Sequence, residues 1–101
     1  MRMLMHVECP PEPFNTAVRD GSAGPKIQKI LEAIKPEAAY FSEHNGRRGG
    51  TFVVNLNSPS DVPALAEPWF LTFEADVQFH PVMTPDDLKR SGIDGMGKNW
   101  C

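Results

Sequence analysis

Apolar and polar residues alternate with period two in four stretches of this chain, and recur with a helical period in two others. "RMLMHVE" (2–8) reads as a strand, ended by "CPPEP" because prolines cannot continue a ladder. "EAAYFSEH" (37–44), "TFVVNL" (51–56) and "DVQFHPV" (76–82) are three more, the middle one rich in β-branched residues. Between the second and third lies "NGRRGG", a glycine-rich turn of hairpin type. In "SAGPKIQKILEAIKP", Ile27, Ile30, Leu31 and Ile34 form the stripe of an amphipathic helix, with Ser22 as cap and Pro36 as stop. "SPSDVPALAEPWFLTFEA" places Val62, Leu65, Ala66, Trp69 and Phe73 on one side of a second helix, which Pro68 is expected to kink or split. "FNTAVRD" fits a short helix closed by Gly21. "TPDDLKR" fits another, with Thr84 as cap, Pro85 in the first turn and acids beside it. Residues 91–101 have little periodicity and are expected to form an extended C-terminal arm.

The order strand, helix, strand, strand, helix, strand, with right-handed crossovers, predicts an α+β fold of ferredoxin-like βαββαβ topology. Its four-stranded antiparallel sheet would carry both helices on one face, with strands one and three central. The alternation then sorts the side chains. The helix-covered face takes Met3, Met5 and Val7; Ala39 and Phe41; Phe52, Val54 and Leu56; Val77 and Phe79. The other face takes Leu4, His6 and Glu8; Tyr40, Ser42 and His44; Thr51, Val53 and Asn55; Gln78, His80 and Val82. Every histidine and the one tyrosine fall on that second face. It mixes neutral polar groups with uncovered Leu4, Val53 and Val82, and the chain has no spare element to cover it. A second copy would, so a homodimer through the open face is expected.

Composition bounds this picture without changing it. The 101 residues suit one domain, 1–101, and the net charge of −3 argues against a nucleic-acid partner. Cys9 and Cys101 make no C-x-x-C motif, and a bridge between them is not expected in a reduced, cytoplasmic protein. "MRMLMHVECPP" is too short an apolar run for a signal peptide or a membrane span.

The chemistry worth testing lies on the open face. His6 and His80 fall on adjacent strands, and with Tyr40 they are the candidate catalytic groups: a general base, a proton donor and a phenol. Asn55, Gln78 and Ser42 are candidate ligand-binding groups beside them. The competing reading makes both histidines interface hydrogen-bonding groups only. His6, Glu8, His44 and His80 share the face, but nothing resembles the tight spacing of H-E-x-x-H, and His44 falls at a strand end; no metal and no cofactor is expected. "RRGGTFVV" lacks the exposed aromatics that stack bases, so Arg47 and Arg48 read as a solvated hairpin tip or a contact for an anionic ligand. Cys9 has no evident base and reads as inert, while Trp69, Phe73, Met3 and Met5 read as core.

The phrases "ALAEPWFLTFEADVQFHPVMTPDDLKRSG" and "PFNTAVRDGSAGPKIQKILEAIKPEAAYF" followed by "GRRGG" resemble bacterial proteins of roughly 100 residues in the dimeric α/β-barrel superfamily. The resemblance spans nearly the whole chain and includes no catalytic motif. It implies two sheets packed face to face across a two-fold axis; a pocket between them would hold a small organic molecule, and a solidly packed face would be structural. The superfamily includes muconolactone isomerase-like enzymes, small monooxygenases and many proteins with no known activity, so it bears on architecture more than on chemistry. A cofactor-free isomerase, cyclase or oxygenase and a non-catalytic dimer are the two functions to weigh.

Overall fold

The computed structural model describes residues 1–100. Four strands, β1 (Arg2–Glu8), β2 (Ala38–His44), β3 (Arg47–Asn55) and β4 (Asp76–Pro81), form one antiparallel sheet in the order β2-β3-β1-β4. Strands one and three are therefore central. Two helices, α1 (Pro11–Arg19) and α2 (Ala23–Ile34), join β1 to β2, and α3 (Val62–Phe73) joins β3 to β4. No helix of the described residues is long and apolar enough to cross a membrane.

Three local expectations are corrected. The "RRGG" segment is strand rather than turn. Asn45 (φ 54°) and Gly46 (φ 76°) both adopt the left-handed region, so two residues reverse the chain and pairing resumes at once with His44 opposite Arg47. Ser22 stands at the cap of α2, but its hydroxyl makes no cap bond; the helix ends at Lys35, whose left-handed backbone returns its N–H to Leu31 O before Pro36. Pro68 neither splits nor ends α3. The carbonyl it leaves without its helical donor belongs to Ala64, an exposed residue open to solvent. Breaking the helix would instead uncover Leu65, Ala66, Trp69 and Phe73, all buried.

The core lies between the helices and one sheet face. Met5, Phe52 and Phe73 have no exposed surface, and Met3, Val7, Val54 and Leu56 are buried beside them. Phe14 of α1 stacks on Phe73 with ring centroids 4.5 Å apart, and Trp69 lies 5.1 Å from Phe52. Burying each such side chain contributes about 1.5–3 kcal/mol. At the margins the expected burial fails. Val77 and Phe79 are only half-buried, and Ala39 and Phe41 are exposed. Phe41 does face the helix side, its ring 5.6 Å from Phe52, but β2 is an edge strand beyond the helical cover.

After β4 the chain leaves the sheet. Thr84 caps α4 (Pro85–Arg90) as expected, and Asp87 completes a reciprocal capping box with it. Where an extended arm was expected, α5 (Ile93–Met96) and a 3₁₀ turn (Gly97–Asn99) follow. Local i to i+3 bonds, such as Gly95 N–H to Gly92 O, satisfy the backbone where no neighbouring strand exists. Leu88, Ile93, Met96 and Trp100 are exposed along this segment. The radius of gyration is 17.1 Å, against about 13 Å for a compact chain of this length. Cys101, and with it the question of a bridge to Cys9, lies outside the described residues.

Candidate functional site

Strand register sets the site. Tyr40 pairs with Thr51, Thr51 with His6, and His6 with Gln78, so these four make one row across all strands. Alternation puts them on the face away from the helices. His6, in the central strand, shares a 3.1 Å hydrogen bond between its Nδ1 and Thr51 Oγ1. His80 sits two pairs along, opposite Leu4 on the same face, and its ring packs edge-on against His6 at 5.4 Å. Its Nε2–H donates to Gln78 Oε1 at 3.4 Å. Each imidazole thus has one nitrogen engaged within the sheet and one open.

The third histidine joins them from the far edge strand. His44 lies two strands from His6, yet the rings meet edge-on at 5.6 Å. Gly49 of β3 makes this possible: a Cβ there would stand 2.7 Å from His44 Cδ2 and 2.3 Å from the Val7 carbonyl oxygen. Only a residue without a side chain lets the imidazole cross the central strand. Position along the strand places His44 at the end of β2 and does not reveal this contact. A glycine inside a strand marks a close approach, but reading Gly49 as part of the turn hid that signal. His44 Nε2 is buried with no hydrogen-bond partner.

The three imidazoles form a line with His6 in the middle. Partial burial, then the positive charges that His44 and His80 can carry, hold the His6 pKa below the ordinary 6.5. His6 is therefore neutral at neutral pH and available to accept a proton. Around the line lies a concavity of ≈ 720 Å³ bordered by Glu8, Asn45 and Gln78. Glu8 is occupied, its Oε1 accepting from Asn45 Nδ2 at 3.0 Å. Among the described residues no set of three His, Cys, Asp or Glu side chains is arranged to hold a metal ion.

The remaining candidates lie further out. Tyr40 is two strands from His6, roughly 10 Å by the spacing of strands, and is 67% exposed. Ser42 donates to the carbonyl of Glu43. Asn55 accepts from the N-terminal ammonium of Met1 at 3.0 Å, four residues along β3 from Thr51 and so about 14 Å from the row. The fold therefore brings together His6, His80, Gln78, His44 and Thr51, and leaves Asn55 and Ser42 apart. Cys9, buried, has its thiol pushed up to about 11 by that burial, which outweighs the Arg48 charge; no thiolate exists at neutral pH.

No protein-family model matches this chain, and no curated protein matches it.

Proposed function

We propose that the chain works as a homodimer of the ferredoxin-like, dimeric α/β-barrel kind, whose facing sheets enclose a small polar organic molecule beside His6 and His80. The observation that carries this reading is the imidazole line: His6 in contact with His44 on one side and His80 on the other, on a sheet face that is half apolar and uncovered. Leu4 and Val53 are only partly buried, and Val82 is exposed. A second sheet laid over them would remove this apolar surface from water and turn the concavity into a cavity. The exposed apolar residues of α4 and α5, reaching away from their own sheet, fit a partner subunit in the same way.

Within such a cavity the chemistry is proton transfer. Neutral His6 takes a proton through its open nitrogen, Thr51 holds the ring, and His80 returns a proton to a neighbouring atom. This is the work of a cofactor-free isomerase or cyclase. A non-catalytic dimer is the second reading. It is favoured by the bonds His6 makes to Thr51 and His80 to Gln78, which satisfy one nitrogen of each ring without any substrate.

Light scattering tests the assembly. The native chain should have twice the chain mass at micromolar concentration, and Val53→Asp should halve it while circular dichroism stays native, because an unpaired charge in a dry interface is strongly unfavourable. A native monomer ends both readings. NMR titration of the imidazoles against a small-molecule library separates them: a hit that moves the pKa of His6 or His80 supports the enzyme, and a dimer whose imidazoles respond to nothing is structural.

A further inference from the structure

The helix-facing side of the sheet carries a second opening. Position 50 faces the helices between Arg48 and Phe52, paired with Val7 on one side and Phe41 on the other, and it is a glycine. The Phe52 ring folds over it, with Cζ 2.8 Å from where a Cβ would stand, so nothing rises from the strand into the space alongside. The helices do not reach over β2, and Phe41 is 55% exposed. The outcome is a cavity of ≈ 440 Å³ walled by Phe14, Ile27, Phe41, Phe52 and Trp69, within the range of about 300–1,000 Å³ common for small-molecule sites.

Glu43, Arg47 and Arg48 stand at its mouth, and of these Arg48 is the one held against the aromatic wall. The Arg48 guanidinium lies 4.7 Å over the Phe14 ring, and its Nη1 donates to Asn15 Oδ1 at 2.7 Å. Glu43 is directly opposite Arg48 in the ladder, but its carboxylate is turned to the hairpin, Oε2 accepting the Gly46 N–H at 2.7 Å. No ion pair among the described residues uses Arg48. Cys9 also lines the cavity and, as a neutral thiol, adds no negative charge. A guanidinium set at the edge of an aromatic cavity and engaged in no ion pair, with the Glu43 carboxylate turned to the hairpin, matches an anionic ligand.

We propose that this cavity binds a small monocarboxylate with an apolar body, the body among the aromatic walls and the carboxylate on Arg48. The walls favour burial of a ring or short chain, and the planar guanidinium, already oriented by Phe14 and Asn15, favours a planar anion. The site is on the opposite face from the histidines and stands independently of the function proposed for them.

The test uses the full chain carrying Trp100→Phe, so that Trp69 is the sole indole. Its fluorescence is titrated with 3-phenylpropionate, octanoate and methyl 3-phenylpropionate. A saturable change with at least one acid is expected, with the ester roughly tenfold or more weaker. The more tightly bound acid assigns the aromatic or the aliphatic class. Arg48→Gln should lower affinity for the acid roughly 10- to 100-fold, the loss of a hydrogen bond to a charged group, and leave the ester unchanged. Ile27→Phe, which fills the cavity, should abolish both. Amide shifts should move at Ile27, Phe41 and Gly50 and stay still at Gln78 and His80. Equal binding of acid and ester by the native site overturns the proposal whether or not either variant folds. So do shifts confined to the histidine face, and the absence of saturable binding at millimolar acid.

Discussion

Phe52 and Val53 are neighbours in β3, yet one belongs to a finished structure and the other to an unfinished one. Phe52 points into the helical side with no exposed surface, between the rings of Phe41 and Trp69. Val53 points to the open side, pairs with Leu4, and is only partly covered. The same contrast runs along the central strands β1 and β3. On the helix side, apolar groups meet apolar groups from three helices. On the open side, His6, Thr51, His80 and Gln78 satisfy one another while Leu4, Val53 and Val82 have nothing above them. A sheet can be complete on one face and wait for a partner on the other, because alternation makes its faces energetically independent.

The comparison can be broken most forcefully at Phe52. Phe52→Ala should cost about 3–5 kcal/mol of unfolding free energy by urea denaturation, since it removes a packed ring and leaves a cavity. On the proposed homodimer, the adjacent Val53→Asp should instead lower the mass in solution and leave the unfolding free energy of the chain nearly unchanged. If both substitutions acted alike, the independence of the two faces would be lost.

A smaller effect is expected at Gly49. Gly49→Ala puts a Cβ against the Val7 carbonyl and the His44 ring, and should cost about 1–3 kcal/mol as neighbours shift. The His44 imidazole should separate from His6, so the His6 pKa should move back toward 6.5 in an NMR titration. An unchanged His6 would show that His44 does not act on it.

The smallest effect is the pH dependence. His6 has a pKa below its unfolded value of 6.5, so between those two values the unfolded chain binds the proton more readily. Stability from this residue is complete above 6.5, falls as pH drops below that value, and reaches its floor once pH passes the folded value. His6→Gln should flatten that part of the curve at fixed protein concentration. The lowered carboxyls of Glu12, Asp20 and Asp87, each accepting hydrogen bonds from nearby residues, act in a separate, more acidic window. Their contribution is present above the ordinary carboxyl values and is lost as pH falls through the lowered ones. A curve for His6→Gln that overlays the native one would remove His6 from the account.

Much of this molecule follows from the sequence by itself. Period-two alternation in four stretches placed Met5, Phe52 and Val54 on one face and His6, Thr51 and His80 on the other, because a strand offers side chains only two directions. The stripe of Ile27, Ile30 and Ile34, the Thr84 cap and the presence of a hairpin turn after β2 are equally local, and they were legible for that reason, although the turn is shorter than the glycine-rich stretch suggested. Tertiary structure decided the rest. Pro68 stays within α3 because the core rewards an unbroken helix more than the lost hydrogen bond costs. Phe41 is exposed because β2 lies outside the helical cover, which no pattern within β2 records. Asn55 shares a face with His6 but is held at the other end of the sheet, since alternation gives the side and not the distance. His44 reaches His6 only because Gly49, on the strand between them, has no side chain to stand in the way.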